Sequence, residues 1–338
     1  SNDRAVRFDA DTTSKVESAT TEQFREIYGK FGYDEAVAKD SNSLSYAVNL
    51  GDDYRLIVMD SCIYNDESDF EKRRQETGGE FSDSEWNWIL EQIEDAVRDG
   101  RRPIGMMHHG LVPHTEIQPS MFSEYLLNDY ERVAAALANA GMNLVFTGHF
   151  HSQDAAVTET EKGNVLYDVE TGSLVTSPCP IRYVTLSGDK FSYTTESVTK
   201  VQGIEDFSDY ANNFLLSGME GLVENLLPGV LIQNGIPVEQ AGAAASQLAN
   251  KALSADGSIT VKSMLANAFS AHYIGDESMP EDVKAIVQAL YAGIGAEDDQ
   301  TKGLYQLLAN AVTALYTDSE TADRNAVNLS LSQLPEYS

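Results

Sequence analysis

Five of the six histidines in this 338-residue chain lie between positions 108 and 151, in two clusters that each close an apolar run. The first reads Pro103-Ile104-Gly105-Met106-Met107-His108-His109-Gly110, and the second Leu144-Val145-Phe146-Thr147-Gly148-His149-Phe150-His151. Each reads as a buried strand that stops and hands imidazoles to the rim of a sheet. Neutral imidazole is the commonest protein ligand for a metal ion, and open α/β sheets bind ligands at their strand ends. His108, His149 and His151 are therefore the candidate metal ligands. His109 faces away from its neighbour and is expected to pack or to contact substrate. Asp60, at another strand end, either orients a histidine or, as the commoner case, caps a turn. For His114 a solvated or structural role is at least as much to be expected as a functional one, and His272 reads as structural. Three imidazoles alone make an incomplete metal site, because they carry no negative charge.

The elements that must position these residues are legible by periodicity. Residues 1–20 are polar and expected to be irregular, and a short helix follows near 20–28. Residues 44–50 and 54–60 read as an antiparallel pair joined by the Gly51-Asp52-Asp53 turn. The charged stretch 65–80 reads as a loop. Ser82-Asp83-Ser84-Glu85 has the capping-box pattern and opens a helix with Trp86, Ile89, Leu90, Ile93 and Val97 on one face. The strand 103–108, a helix over 128–140 and the strand 144–148 complete an α/β unit with parallel strands. Residues 165–198 alternate as a β-meander. Beyond 204 the chain turns Ala-, Leu- and Asn-rich, predicting helices at 207–226, 238–254, 259–273, 280–293, 300–316 and 321–331. The expected organisation is a core over 1–200 and an all-helical C-terminal domain over 204–338.

Asp and Glu total 53 against 23 Lys and Arg, a formal net charge of -30. Such a surface excludes nucleic acid, which is bound by neutralising phosphates with cations. Action on a phosphate would need local positive charge, which bound metal ions supply. The two cysteines, Cys62 and Cys179, form no CxxC pair, so no thiolate cluster is expected. No apolar run approaches the roughly 20 residues of a membrane span. The chain opens Ser1-Asn2-Asp3-Arg4 without a signal peptide, and the expectation is that it starts inside a longer product. Localisation is undetermined, since any export signal would precede Ser1.

The order of strand and His108, helix, then strand and Gly148-His149-Phe150-His151 resembles the C-terminal half of the calcineurin-like metallophosphoesterase superfamily. The resemblance spans roughly residues 1–198. It implies a layered β-sheet core with flanking helices, here lacking its N-terminal strands, and hydrolysis of phosphate mono- or diesters by a metal-bound hydroxide. It implies two divalent ions (manganese, iron or zinc), with His151 on one and His108 and His149 on the other. The substrate would be a phosphate-ester small molecule or a phosphorylated partner. The family's aspartate–x–histidine, bridging aspartate and asparagine–histidine motifs have no counterpart here. No aspartate stands two residues before a histidine, and no asparagine directly precedes one. The chain alone is thus expected to hold an incomplete or empty site, to hydrolyse poorly or not at all, and to associate with its missing half or with itself. Its strands at 54–60, 103–108 and 144–148 would otherwise bare apolar faces. Two alternatives stay open: a non-catalytic binding or scaffold protein working through its helical domain, and a mononuclear metallohydrolase using His108, His149 and His151.

Overall fold

A computed structural model of the protein describes residues 6–9, 12–16, 19–63, 77–275, 277–317 and 324–337. Most of the expected loop at 65–80 lies outside them. The first elements are the hairpin β1 (Val6–Asp9) and β2 (Thr12–Lys15), where an irregular segment was expected, and helix α1 (Thr21–Ile27). The core is a seven-stranded sheet. It is built from β3 (Ala38–Lys39), β4 (Tyr46–Leu50), β5 (Tyr54–Val58), β6 (Arg102–Met106), β7 (Leu144–Thr147), β8 (Asp154–Glu159) and β9 (Val165–Glu170). The order is β3-β4-β5-β6-β7-β9-β8. Strands β5, β6, β7 and β9 are mutually parallel, and the outer pairs are antiparallel. The four parallel strands therefore deliver their C-terminal ends to one edge, the edge at which His108 and His149 emerge.

Helices α2 (Asp83–Arg98) and α4 (Tyr130–Ala140) cover one face of the sheet, with the short α3 (Gln118–Met121) between them in the chain. Ser82 caps α2 by accepting from the Glu85 amide, but the Glu85 side chain turns inward to Ser45 Oγ at 2.5 Å, so only half of the expected capping box forms. Ile89 and Ile93 from α2 and Leu137 from α4 pack on Ile57 and Val145 of the sheet. The other face is covered by a three-stranded antiparallel sheet of β10 (Pro180–Ser187), β11 (Lys190–Ser197) and β12 (Ala326–Ser330). Phe191, Tyr193, Ala326 and Leu331 pack on Tyr54, Ile104 and Leu144. Ile57, Ile104, Leu144 and Val145 are each 0% exposed, and each aliphatic side chain so buried contributes about 1.5–3 kcal/mol. This corrects the expectation of bare apolar faces on these strands: α2 and α4 occupy one side and β10–β12 the other.

Two strand assignments also change. Val165–Glu170 belongs to the main sheet beside β7 rather than to a meander with β10 and β11, and it hairpins with β8, a strand unrecognised in the sequence. The segment expected as a helix over 321–331 contains β12, which pairs with β11. Beyond it Arg102 Nη1 donates to Ser332 O at 2.9 Å and the Tyr337 hydroxyl to Ala140 O at 2.8 Å. The all-helical character expected over 204–338 therefore ends before the chain does.

The helical region itself comprises α5 (Phe207–Gln233), α6 (Val238–Ala249), α7 (Val261–Ile274), α8 (Glu281–Tyr291) and α9 (Asp299–Leu315). Helix α5 runs through Pro228, where a break was expected, because Val223, Leu227 and Leu231 on either side are held in a common core. It is 27 residues long, and an 18-residue window within it has a mean hydropathy of 1.3, the length and composition of a membrane span, where no such run was expected. Phe122 and Phe150 from the sheet's rim enter the helical core beside Phe269. The helical region is thus packed directly against the turn that carries His149 and His151.

Candidate functional site

The cleft forms where β6 and β7 end side by side. Two residues beyond β6, His108 sits at the mouth, its ring centroid 4.4 Å from that of His149. The His109 ring stands 5.3 Å from His108 and 4.8 Å from His149, and Tyr125 lies against His149 at 4.5 Å. His149 and His151 have φ of 73° and 67°, the left-handed region that non-glycine residues seldom adopt. Such conformations persist only where surrounding structure enforces them. The two reversals bury Phe150 in the helical core and leave the flanking imidazoles outside it.

His109 is 0% exposed. Its Nε2 lies 3.0 Å from Thr77 O, a group that can only accept, so Nε2 carries the proton. Burial, outweighing that bond, pushes the imidazole down to about 4. The neutral ring then accepts the Ser61 hydroxyl at Nδ1, 2.7 Å away. Both nitrogens are engaged, so the expected substrate contact at His109 is corrected to a buried support for the cleft. Gly79 is required beside it, since a Cβ there would fall 2.4 Å from His109 Nδ1. Thr77 O also receives Nε2–H of His149 at 3.1 Å, which places that ring's lone pair on Nδ1. His108 is open in area at the cleft mouth yet flanked by protein. Burial, with the imidazoles of His149 and His109, holds it down to about 3. Burial likewise lowers His149 and, with the neighbouring imidazole of His149, His151.

His151 is separated from this group by Phe150 and faces Thr176 (Oγ1 to Nδ1, 3.5 Å) and Tyr273 of α7, 6.3 Å between centroids. The structure therefore gathers His108, His109 and His149 and sets His151 on the next side of the turn, within electrostatic reach of His108 and His149. Among the described residues no three His, Cys, Asp or Glu side chains are arranged to hold a metal ion. Imidazoles without a bridging carboxylate cannot offset the repulsion between two cations, so the donor set does not fit a two-metal centre. Asp60 accepts from the Leu44 amide at 3.1 Å and the Cys62 amide at 3.4 Å, the turn-capping role.

A second constellation lies behind the cleft and was missed in the sequence. His114, Asp154, Asp168 and Glu170 are each at most 1% exposed. His114 Nδ1 hydrogen-bonds Asp154 Oδ2, and Nε2 lies 3.5 Å from Asp168 Oδ1 and 3.4 Å from Glu170 Oε2. Burial opposes charge on this ring, but Asp154 and Asp168 prevail and raise its pKa well above the ordinary value. Burial raises Glu170 to about 8, against the charge of His114. Arg182 closes the cluster, its Nη1 donating to Glu170 O at 2.6 Å and Asp154 O at 3.2 Å. On α7, buried His272 stands 3.1 Å from Glu277 Oε1, neither ring nitrogen making a hydrogen bond, while its carbonyl accepts the Gln153 amide at 2.9 Å. One sequence signal was present: Asp168 and Glu170 alternate on a single face of an otherwise apolar strand.

No protein-family model matches the chain, and no curated protein matches it. Among solved structures it is similar to a dimetal phosphatase from Danio rerio, with 13% identity and a TM-score of 0.36. The alignment covers 46% of this chain and 58% of that one, so the chain spans less than two thirds of that neighbour.

Proposed function

We propose that the cleft is the imidazole-bearing part of a metal-dependent phosphoesterase site of the calcineurin-like type. The observation that carries this reading is the meeting of His108 and His149, 4.4 Å between centroids, at the ends of adjacent parallel strands. The left-handed turn carrying His149 and His151 supports it. Neutral rings offer lone pairs, which a divalent cation requires. A bound cation would supply the positive charge that an anionic ester needs in order to approach a protein of net charge -30. This chain's own part is narrower. Thr77 O orients His149, Ser61 and Thr77 lock His109 beneath it, and Phe150 anchors the turn. Carboxylate ligands must come from outside the described cleft, from a partner chain or another segment. The reading is tested by titrating Zn²⁺ or Co²⁺ into the 338-residue chain and its His149→Ala variant, with a chromogenic phosphate ester as substrate. The expected result is uptake of a divalent ion, weakened at least about tenfold by the substitution, with no measurable turnover. A wild-type chain that takes up no ion contradicts it.

A further inference from the structure

The buried carboxylates of β9 reach both histidine turns. Asp168 Oδ2 accepts the backbone N–H of Leu111 at 2.6 Å and of Val112 at 3.0 Å, immediately after His108-His109-Gly110. Asp168 Oδ1 accepts the hydroxyl of Thr147, the last residue of β7 before Gly148 and His149. Glu170 Oε1 accepts the Ser152 N–H at 3.3 Å, and the His151 backbone also bonds to this carboxylate. His114 stands between the two acids, 3.5 Å from one and 3.4 Å from the other, and is anchored at its far nitrogen by Asp154. None of these groups opens to the cleft, so none can touch a ligand there. Every one of their bonds to the rim lands within three residues of a cleft histidine.

We propose that Asp168 and Glu170, bridged by His114, are the positioning residues of the histidine cleft. They tie down the turn after His109 and the turn bearing His149 and His151, and so set the directions of the imidazoles. Two histidines in the left-handed region need such restraint, because non-glycine side chains are strained there and stay only where the surroundings enforce it. The position of the acids fits the task. They sit at i and i+2 of β9, which pairs in parallel with β7, so Asp168 and Glu170 stand beside Val145 and Thr147 in register. The value of this arrangement for cation binding rests on the function proposed above; the geometric claim does not.

The experiment compares Glu170→Ala, Glu170→Gln and Thr147→Val in the 338-residue chain. Ring chemical shifts of His149 and His151 and amide exchange at Leu111, Val112 and Ser152 are read by NMR without metal, and Co²⁺ affinity is read separately. E170A is expected to speed exchange at Ser152 at least about tenfold, move both ring signals and weaken Co²⁺ binding about tenfold or more, as loss of a group supporting metal ligands does. E170Q keeps an oxygen for the Ser152 N–H and is expected to restore exchange to within about threefold of wild type. T147V is nearly isosteric and removes only the hydroxyl given to Asp168. It is expected to move the His149 ring signal, and it carries the test if E170A does not fold. Unchanged rings and exchange in a folded E170A or in T147V overturn the proposal, as does E170Q behaving like E170A. If the wild-type chain takes up no Co²⁺, the metal reading fails alone, and the ring and amide measurements still decide this one.

Discussion

The cleft and the buried cluster lie on the same sheet rim and are built around the same side chain, yet they hold it in opposite states. At His108, His109 and His149, burial acts with little opposing charge, and the rings stay neutral. At His114 burial opposes charge as well, but Asp154 and Asp168 face the ring, and the charged form prevails. A neutral imidazole keeps a lone pair for a ligand. An imidazolium has none: in His114, Nδ1–H bonds Asp154 and the positive ring faces Asp168 and Glu170 at 3.5 and 3.4 Å. Nearby carboxylates decide which histidines on this rim become charged, while His109, neutral but bonded at both nitrogens, shows that neutrality alone does not leave a ring available.

That contrast can be broken most forcefully at His114. His114→Leu removes the positive ring that faces Asp154 and Asp168 and is expected to cost about 3–5 kcal/mol, measured by urea unfolding. His108→Ala at the open mouth is expected to cost less than about 1 kcal/mol in the same assay. Equal losses would erase the distinction between the two regions.

The next effect is in pH. Between about 6.5 and 4 the unfolded chain binds protons that folded His108 and His109 refuse, so stability falls as the solution is acidified. Glu170, raised to about 8, and His114, raised above its ordinary value, bind protons in the folded state that the unfolded chain releases. The Glu170 contribution is full at low pH, shrinks above about 4.5 and is gone once pH passes about 8; that of His114 is lost as pH rises through its own raised value. Unfolding measured from pH 4 to 10 should therefore show decline on both sides of neutrality. Glu170→Gln should flatten the alkaline side, by removing the group raised to about 8, and leave the acid side standing. A symmetric loss of both arms would contradict the assignment.

A smaller effect sharpens the link to the helical region. Tyr273→Phe removes the hydroxyl of the ring that stands 6.3 Å from His151 and keeps the ring itself. It is expected to shift the His151 ring signal while changing stability by less than about 1 kcal/mol. An unmoved signal would show that α7 does not influence this side of the turn.

Much of the cleft was legible because its signals are local. An apolar run that stops at Gly148-His149, or at His108-His109, announces a strand end, and the helices from 207 to 316 follow from 3.6-residue periodicity. What escaped was settled by distant contacts. Asp154-Ala155-Ala156-Val157-Thr158-Glu159 has weak strand propensity and becomes β8 only by pairing with β9. Residues 326–330 meet β11 across some 130 positions of chain and contradict their own helical appearance. His109 looked available because sequence does not reveal Ser61 and Thr77 closing over it. Asp168 and Glu170 escaped because a carboxylate in a strand ordinarily faces water, and only the fold supplies the imidazolium that lets them be buried.

The most direct test is nitrogen-detected NMR of the six histidine side chains at pH 7, with and without Zn²⁺. The cleft rings should be neutral, with His109 and His149 protonated at Nε2, and they should be the signals that move when zinc is added. His114 should carry protons on both nitrogens and stay still. A neutral His114, or cleft rings that titrate near 6.5 and ignore zinc, would contradict the account.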